Sequence, residues 1–344
     1  VALLLSLGFS ACGSSKSTST ELTIGGWGGA LDEGTQRAYL TPFDAENKAS
    51  SQFVDAPGDQ LARVEAQNNA KQIQWDALDS TDGGTAYTLQ AKHELALLPA
   101  PLKLELEREL GASNVTSFGF AHGNLGNVIV CNMEKMKSCP ANMAQFYNTT
   151  MFPQSRMFAG ILPIEAATTA EVAAGIPISQ TATTPVNVKA VIKTLEALKP
   201  KIKVFWQSGD QQVQAMRSGQ VGMGIMWSNR AYELAAQGAK VKIVWLDAAY
   251  EPSFWTVLQG APHAQLAFKL LAWIASHAKA EAQWAREIHI SVPNPVALNY
   301  IPKSFSDQLA DNPVNYRQMA VPNFKWYAHH ATELDTAYEN FLRG

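Results

Sequence analysis

"FWQSGDQQVQAMRSGQVGMGIMWSNRAYELAAQGAKVKIVW" occupies residues 205–245. Together with the three residues before it, "IKVFW" (202–206) reads as a strand, and "SGDQQVQAMRSG" (208–219) as a loop and helix closed by Gly219. "VGMGIMW" (221–227) is a second strand, "NRAYELAAQG" (229–238) a helix ending on glycine, and "VKIVWL" (241–246) a third strand. Glycine closes helices because it takes the left-handed conformation without a Cβ penalty. Strands alternating with helices through short connections give an α/β layer with a largely parallel sheet.

Outward from this stretch the pattern continues. "PVNVKAVIKTLEALKP" (185–200) puts Val188, Val191, Ile192, Leu195 and Leu198 on one helical face, with Lys189, Lys193 and Glu196 pointing away, and Pro200 stops it. "GNVIVCN" (126–132) is an apolar strand. Nearer the start, Leu22–Ile24 forms a short strand, and the glycines of "ELTIGGWGGAL" make a tight turn that exposes Trp27. A helix over 33–46, a strand over 52–56, a helix over 59–70 and a strand over 75–81 follow. Helices are expected over 263–277, 280–288 and 328–342. A chain of 344 residues with two runs of α/β units suggests two domains.

The first twenty residues differ in kind. "VALLLSLGF" is too short to cross a membrane, which takes about 20 residues. It matches the apolar core of an export signal. Ser10 and Ala11 precede Cys12 as in a bacterial lipoprotein box, with Phe9 where leucine is usual. Cys12 is therefore the expected lipid anchor, and "GSSKSTST" (13–20) a solvated tether. That leaves Cys131 and Cys139, eight apart, as an even pair that an exported protein can oxidise to a disulfide. A net charge of −3 argues against a nucleic-acid partner. Phosphate-loop, nucleophile-elbow and HExxH patterns are missing, and the GxGxxG spacing is not met by "GGWGG". No enzyme, cofactor or metal site is expected, and His329, His330 and Glu333 read as a solvated helix face.

The 205–245 stretch, with "SFWTVLQGAP" (253–262), "ISVPNPVAL" (290–298) and "NFKWYAHHATELDTAYENFLRG" at the end, resembles the solute-binding proteins of bacterial ABC importers, in particular the spermidine/putrescine branch. The resemblance implies a two-lobed periplasmic-binding-protein fold of type II-like form, each lobe a sheet flanked by helices and joined by hinge strands. Residues 21–124 with 249–300 are expected in lobe 1, and 125–248 with 301–344 in lobe 2. Crossings are expected near 122–127, 246–251 and 299–303. It implies a monomer held outside the cytoplasmic membrane, working with a membrane permease and its separate ATPase. The implied ligand is a small organic amine, putrescine or spermidine first. A zwitterion such as γ-aminobutyrate is the alternative, and an exported α/β hydrolase a more distant one.

By the same resemblance Trp27, Trp227 and Trp255 are aromatic walls of the cleft, where indole faces suit an ammonium or alkyl chain. Thr81 and Asp82 occupy a strand-to-helix turn in the first lobe, and Ser208, Asp210 and Gln211 the comparable turn in the second. Each turn serves equally as a helix cap. Tyr327 falls near a position of polar contact in relatives. The family's polyamine binders place an acid two residues after the tryptophan equivalent to Trp255, and here that position is Val257. Asp82, Asp210 or Glu165 could supply the missing carboxylate. Otherwise the ligand carries fewer amines.

Overall fold

The computed structural model describes residues 20–344. Cys12 and the leader lie outside the described residues. Among the described residues ten strands form two five-stranded sheets. The chain lays down β1 (Glu21–Gly26), β2 (Ser50–Asp55), β3 (Ala77–Asp82) and β4 (Gly119–Ala121) in the first sheet. It then crosses to build β5 (Leu125–Asn132), β6 (Arg156–Ala159), β7 (Ile202–Trp206), β8 (Met223–Trp227) and β9 (Val241–Glu251) in the second. It returns with β10 (Ser253–Val257). The orders are β2-β1-β3-β10-β4 and β7-β6-β8-β5-β9.

Both sheets are mixed rather than largely parallel. β1 pairs parallel with β2 and β3, and β6 with β7 and β8. β10 runs antiparallel to β3 and β4, and β5 to β8 and β9. The two reversed strands are those that enter a sheet directly from the other one, without the helical crossover that parallel pairing requires. The second crossing also falls later than expected. β9 runs to Glu251 with Leu125–Asn127 as partners, so Ala249–Glu251 belong to the second sheet and the chain changes over at Pro252.

Helix Val188–Leu198 buries Val191, Leu195 and Leu198, and the side chain of Asn187 caps it by accepting from the Ala190 N–H. Cys131 and Cys139 are joined by a disulfide that ties the end of β5 to the following loop. The first helical region is less regular than its apolar spacing predicts. Gly29–Thr35 passes through a wider turn, Gln36–Leu40, into Thr41–Asn47.

The last helix, Phe324–Arg343, spans both lobes instead of serving lobe 2 alone. Its first turn packs on helix Gly83–Ala91 of the first lobe. Phe324 stacks on Tyr87 with ring centroids 5.7 Å apart, and a Cβ on Gly83 would lie 2.7 Å from the Phe324 ring. Its last turns dock on the second lobe, where the Tyr338 hydroxyl donates to the Ala159 carbonyl at 2.6 Å and Phe341 meets the Phe205 ring at 5.6 Å. Each buried aromatic of this kind stabilises by on the order of 1.5–3 kcal/mol.

Candidate functional site

The ends of strands from both sheets come together beside the last helix. β3 ends on Asp82, which caps helix Gly83–Ala91 by accepting from the Thr85 N–H at 2.9 Å. Next to it Thr81 is fully buried, and its hydroxyl has no partner among the described residues. β8 ends on Trp227. Its backbone N–H donates to Gln212 Oε1 at 3.0 Å, and its indole N–H donates to Glu251 Oε2 at 2.9 Å. Asn127 Nδ2 donates to the same Glu251 oxygen at 2.7 Å. Helix Pro163–Ala173 contributes Glu165, which is 2% exposed, and neither of its carboxylate oxygens has a partner among the described residues. From the last helix the Tyr327 hydroxyl donates to Asp335 at 2.8 Å.

Electrostatics explain what this cluster lacks. Burial pushes the Glu165 carboxyl well above its ordinary range, and the charges of Glu251, Asp82 and Asp335 push it further. Burial raises Glu251 as well, with Asp82 adding to it, against the hydrogen bonds from Asn127 and Trp227. Asp82 and Asp335 are also raised, first by burial. Every charged group acting on Glu165 is another carboxylate. An unpaired buried charge costs several kcal/mol, so such a group either holds a proton or awaits a cation. Four carboxylates from two lobes, one of them with both oxygens free, can surround a small cationic group.

Residues 38–313 match the model of the bacterial extracellular solute-binding proteins. The chain belongs to this family. It is 24% identical over 346 residues to the gamma-aminobutyric acid-binding protein of Pseudomonas aeruginosa, covering 97% of this chain and 94% of that one. Among solved structures, the Atu4243-GABA receptor superposes with a TM-score of 0.83 at 23% identity, covering 93% of this chain and 97% of that one. The spermidine/putrescine substrate-binding protein PotD of Streptococcus pneumoniae gives 0.72 at 15% identity, covering 94% and 99%. The two sheets flanked by helices are the periplasmic-binding-protein fold. Members of this family are extracellular and bind solutes, and that is the role the match gives this chain. No helix among its described residues is long and apolar enough to cross a membrane.

The residues singled out from the sequence of this solute-binding protein take different places. Trp227, Asp82, Glu165 and Tyr327 join the carboxylate cluster, while Thr81, the strand residue before Asp82, is buried with no hydrogen-bond partner for its hydroxyl among the described residues. Ser208 and Gln211 are exposed, with Ser208 capping helix Gly209–Arg217 by accepting from the Gln211 N–H at 3.3 Å. Asp210 is exposed and lies 3.6 Å from the Arg230 guanidinium. The buried neighbour Gln212 is the residue of this turn that reaches Trp227.

The three indoles do not form one wall. Trp227 meets the edge of Trp206 at 5.1 Å. Trp255 is fully buried in the first lobe's core, across the strand pair from Phe120 and on the same side of β10 as Val257. Trp27 is half-buried at the tip of β1, where its N–H donates to Asp32 at 3.1 Å. Around it lies a second buried acidic group. Burial, with the Asp55 carboxylate adding to it, pushes Asp32 up to about 6, and burial with the Asp32 carboxylate pushes Asp79 up to about 7.

Glu251, Asn127, Asp335 and Gln212 were not legible as site residues. The one local sign for Glu251 is an acid placed at the end of an apolar strand, before Pro252. For Gln212 it is the four-residue spacing to buried Met216, which puts it on the inner helix face.

Proposed function

We propose that this receptor captures a small organic amine and that its ammonium is held by Asp82, Glu165, Glu251 and Asp335. The observation that carries the reading is Glu165, buried, with no hydrogen-bond partner for either oxygen among the described residues and with carboxylates as the charged groups that act on it. A ligand ammonium supplies the counter-charge and the three N–H donors that this carboxylate lacks. Trp227, fixed through Glu251 and Gln212, offers an indole beside it for cation–π attraction of about 0.5–2 kcal/mol. The acids at 165 and 251 take the place of the one absent at Val257. Four carboxylates without a cation suit a diamine such as putrescine.

A second reading, a zwitterion such as γ-aminobutyrate, is favoured by the name of the Pseudomonas relative and by the higher structural similarity to the GABA receptor. In both readings the lobes close over the ligand and the closed form docks on a permease driven by a separate ATPase. We further infer that the receptor is a monomer carrying its lipid on Cys12, with mass spectrometry of the membrane-extracted protein as the check. Calorimetric titration with putrescine, spermidine and γ-aminobutyrate, followed by competition, tests the ligand. Heat from none of them refutes the amine assignment, and displacement of one by another ranks the two readings.

A further inference from the structure

Three chain segments run between the lobes, and one side chain on the third bonds to the first and to the strand that leads into the second. The first passes from β4 to β5 through Asn124, and the second leaves β9 at Pro252, two residues after Tyr250. The third begins after helix Ala278–Ile288, carries the turn Ala297–Tyr300 packed on that helix, and reaches Ala320, which pairs with Ala249 of β9. Asp311 lies on this third segment. Its Oδ2 accepts from Asn124 Nδ2 at 2.9 Å, and its Oδ1 accepts from the Tyr250 hydroxyl at 3.0 Å. Its backbone N–H donates to Ser291 Oγ at 3.0 Å. Ser291 in turn pairs with Asn124, accepting at its carbonyl from the N–H groups of Gly123 and Asn124 at 3.1 and 3.3 Å. The titratable neighbours of Asp311 are Tyr250 and Tyr316, whose rings meet edge to face at 5.1 Å.

We propose that Asp311 is the clasp of the hinge, a carboxylate that couples the crossing segments and sets how readily the two lobes open and close. The chemistry is one-sided. Asn124 Nδ2 is a donor, the Tyr250 hydroxyl donates in this geometry, and an ionised carboxylate gives each its own oxygen. One donor, Asn124, sits on the first crossing, and the other, Tyr250, near the end of β9 just before the second. A rotation of the lobes that moves the first crossing or the third segment relative to the end of β9 must therefore stretch at least one charge-assisted bond. The free-energy difference between open and closed forms then depends on Asp311, although it lies outside the carboxylate cluster. This coupling holds whatever the ligand is.

The test uses the ligand-free protein. Asp311→Asn keeps the shape but presents an NH₂ group to one of the two donors. Amide hydrogen exchange at Asn124, Tyr250 and Ser291 is expected to speed up roughly tenfold, while Ile24 and Ile129 in the sheets keep their protection. Small-angle scattering is expected to show a shifted radius of gyration. Tyr250→Phe removes one donor with the ring retained. Its effect and that of Asp311→Asn are expected to be non-additive in the double variant. Uniform acceleration across both sheets means that Asp311 only holds the fold together, and overturns the proposal. So does unchanged exchange at the three hinge amides, or faster exchange there with no change in scattering.

Discussion

Replacing Glu165 by Gln isolates the charge that the ligand reading requires, because it is nearly isosteric and Glu165 has no partner to lose among the described residues. Two effects of opposite sign are expected. An ammonium about 4 Å from a carboxylate, at an effective dielectric near 20, gains about 4 kcal/mol. The Gln carbonyl still accepts one hydrogen bond, which returns part of that, so the net loss is about 2–3 kcal/mol. Affinity for putrescine or γ-aminobutyrate should fall roughly 30- to 150-fold by titration calorimetry.

The ligand-free protein should respond the other way. The Glu165 carboxyl is raised above its ordinary 4.5 by burial and by neighbouring acids. The unfolded chain therefore releases this proton at lower pH than the native one, and Glu165 subtracts stability increasingly as pH climbs above its unfolded value. The Gln variant removes that penalty. Its melting temperature at neutral pH should equal or exceed the wild type's, with a flatter pH profile above about 4.5. An unchanged ligand affinity, or a destabilised apo protein with a normal pH profile, would refute the reasoning.

Trp227→Phe keeps an aromatic face but loses the indole donor to Glu251, and should weaken amine binding about 3- to 30-fold by calorimetry, with Glu251→Gln non-additive on it. Ligand binding should release protons, since an ammonium lowers carboxyls that burial had raised. Affinity should therefore increase from pH 5 to pH 8, and titration in buffers of different ionisation enthalpy counts the protons. Gly83→Ala places a Cβ 2.7 Å from the Phe324 ring and should cost about 1–3 kcal/mol in the denaturant midpoint, through undocking of the last helix.

Residues 202–246 read correctly as strand, helix, strand, helix, strand, because each element there carries its own apolar period and its own stop. Val191, Leu195 and Leu198 turned inward as their spacing required, and the Cys131–Cys139 bridge is local enough to be seen in eight residues. Strand direction was not local. β5 and β10 run antiparallel because of which sheet the chain has just left, a fact no window of ten residues contains. The site was less legible still. Asp82 and Trp227 stand at strand ends that the pattern located. Asp335 comes from a helix more than a hundred residues away from Trp227, and Glu251 from a strand that continues further than its apolar run. Sequence by itself set the elements and their inward faces, since those follow from side-chain periodicity. Only the folding of two lobes and a shared final helix decided which carboxylates meet, because burial and like-charge repulsion are properties of neighbours in space.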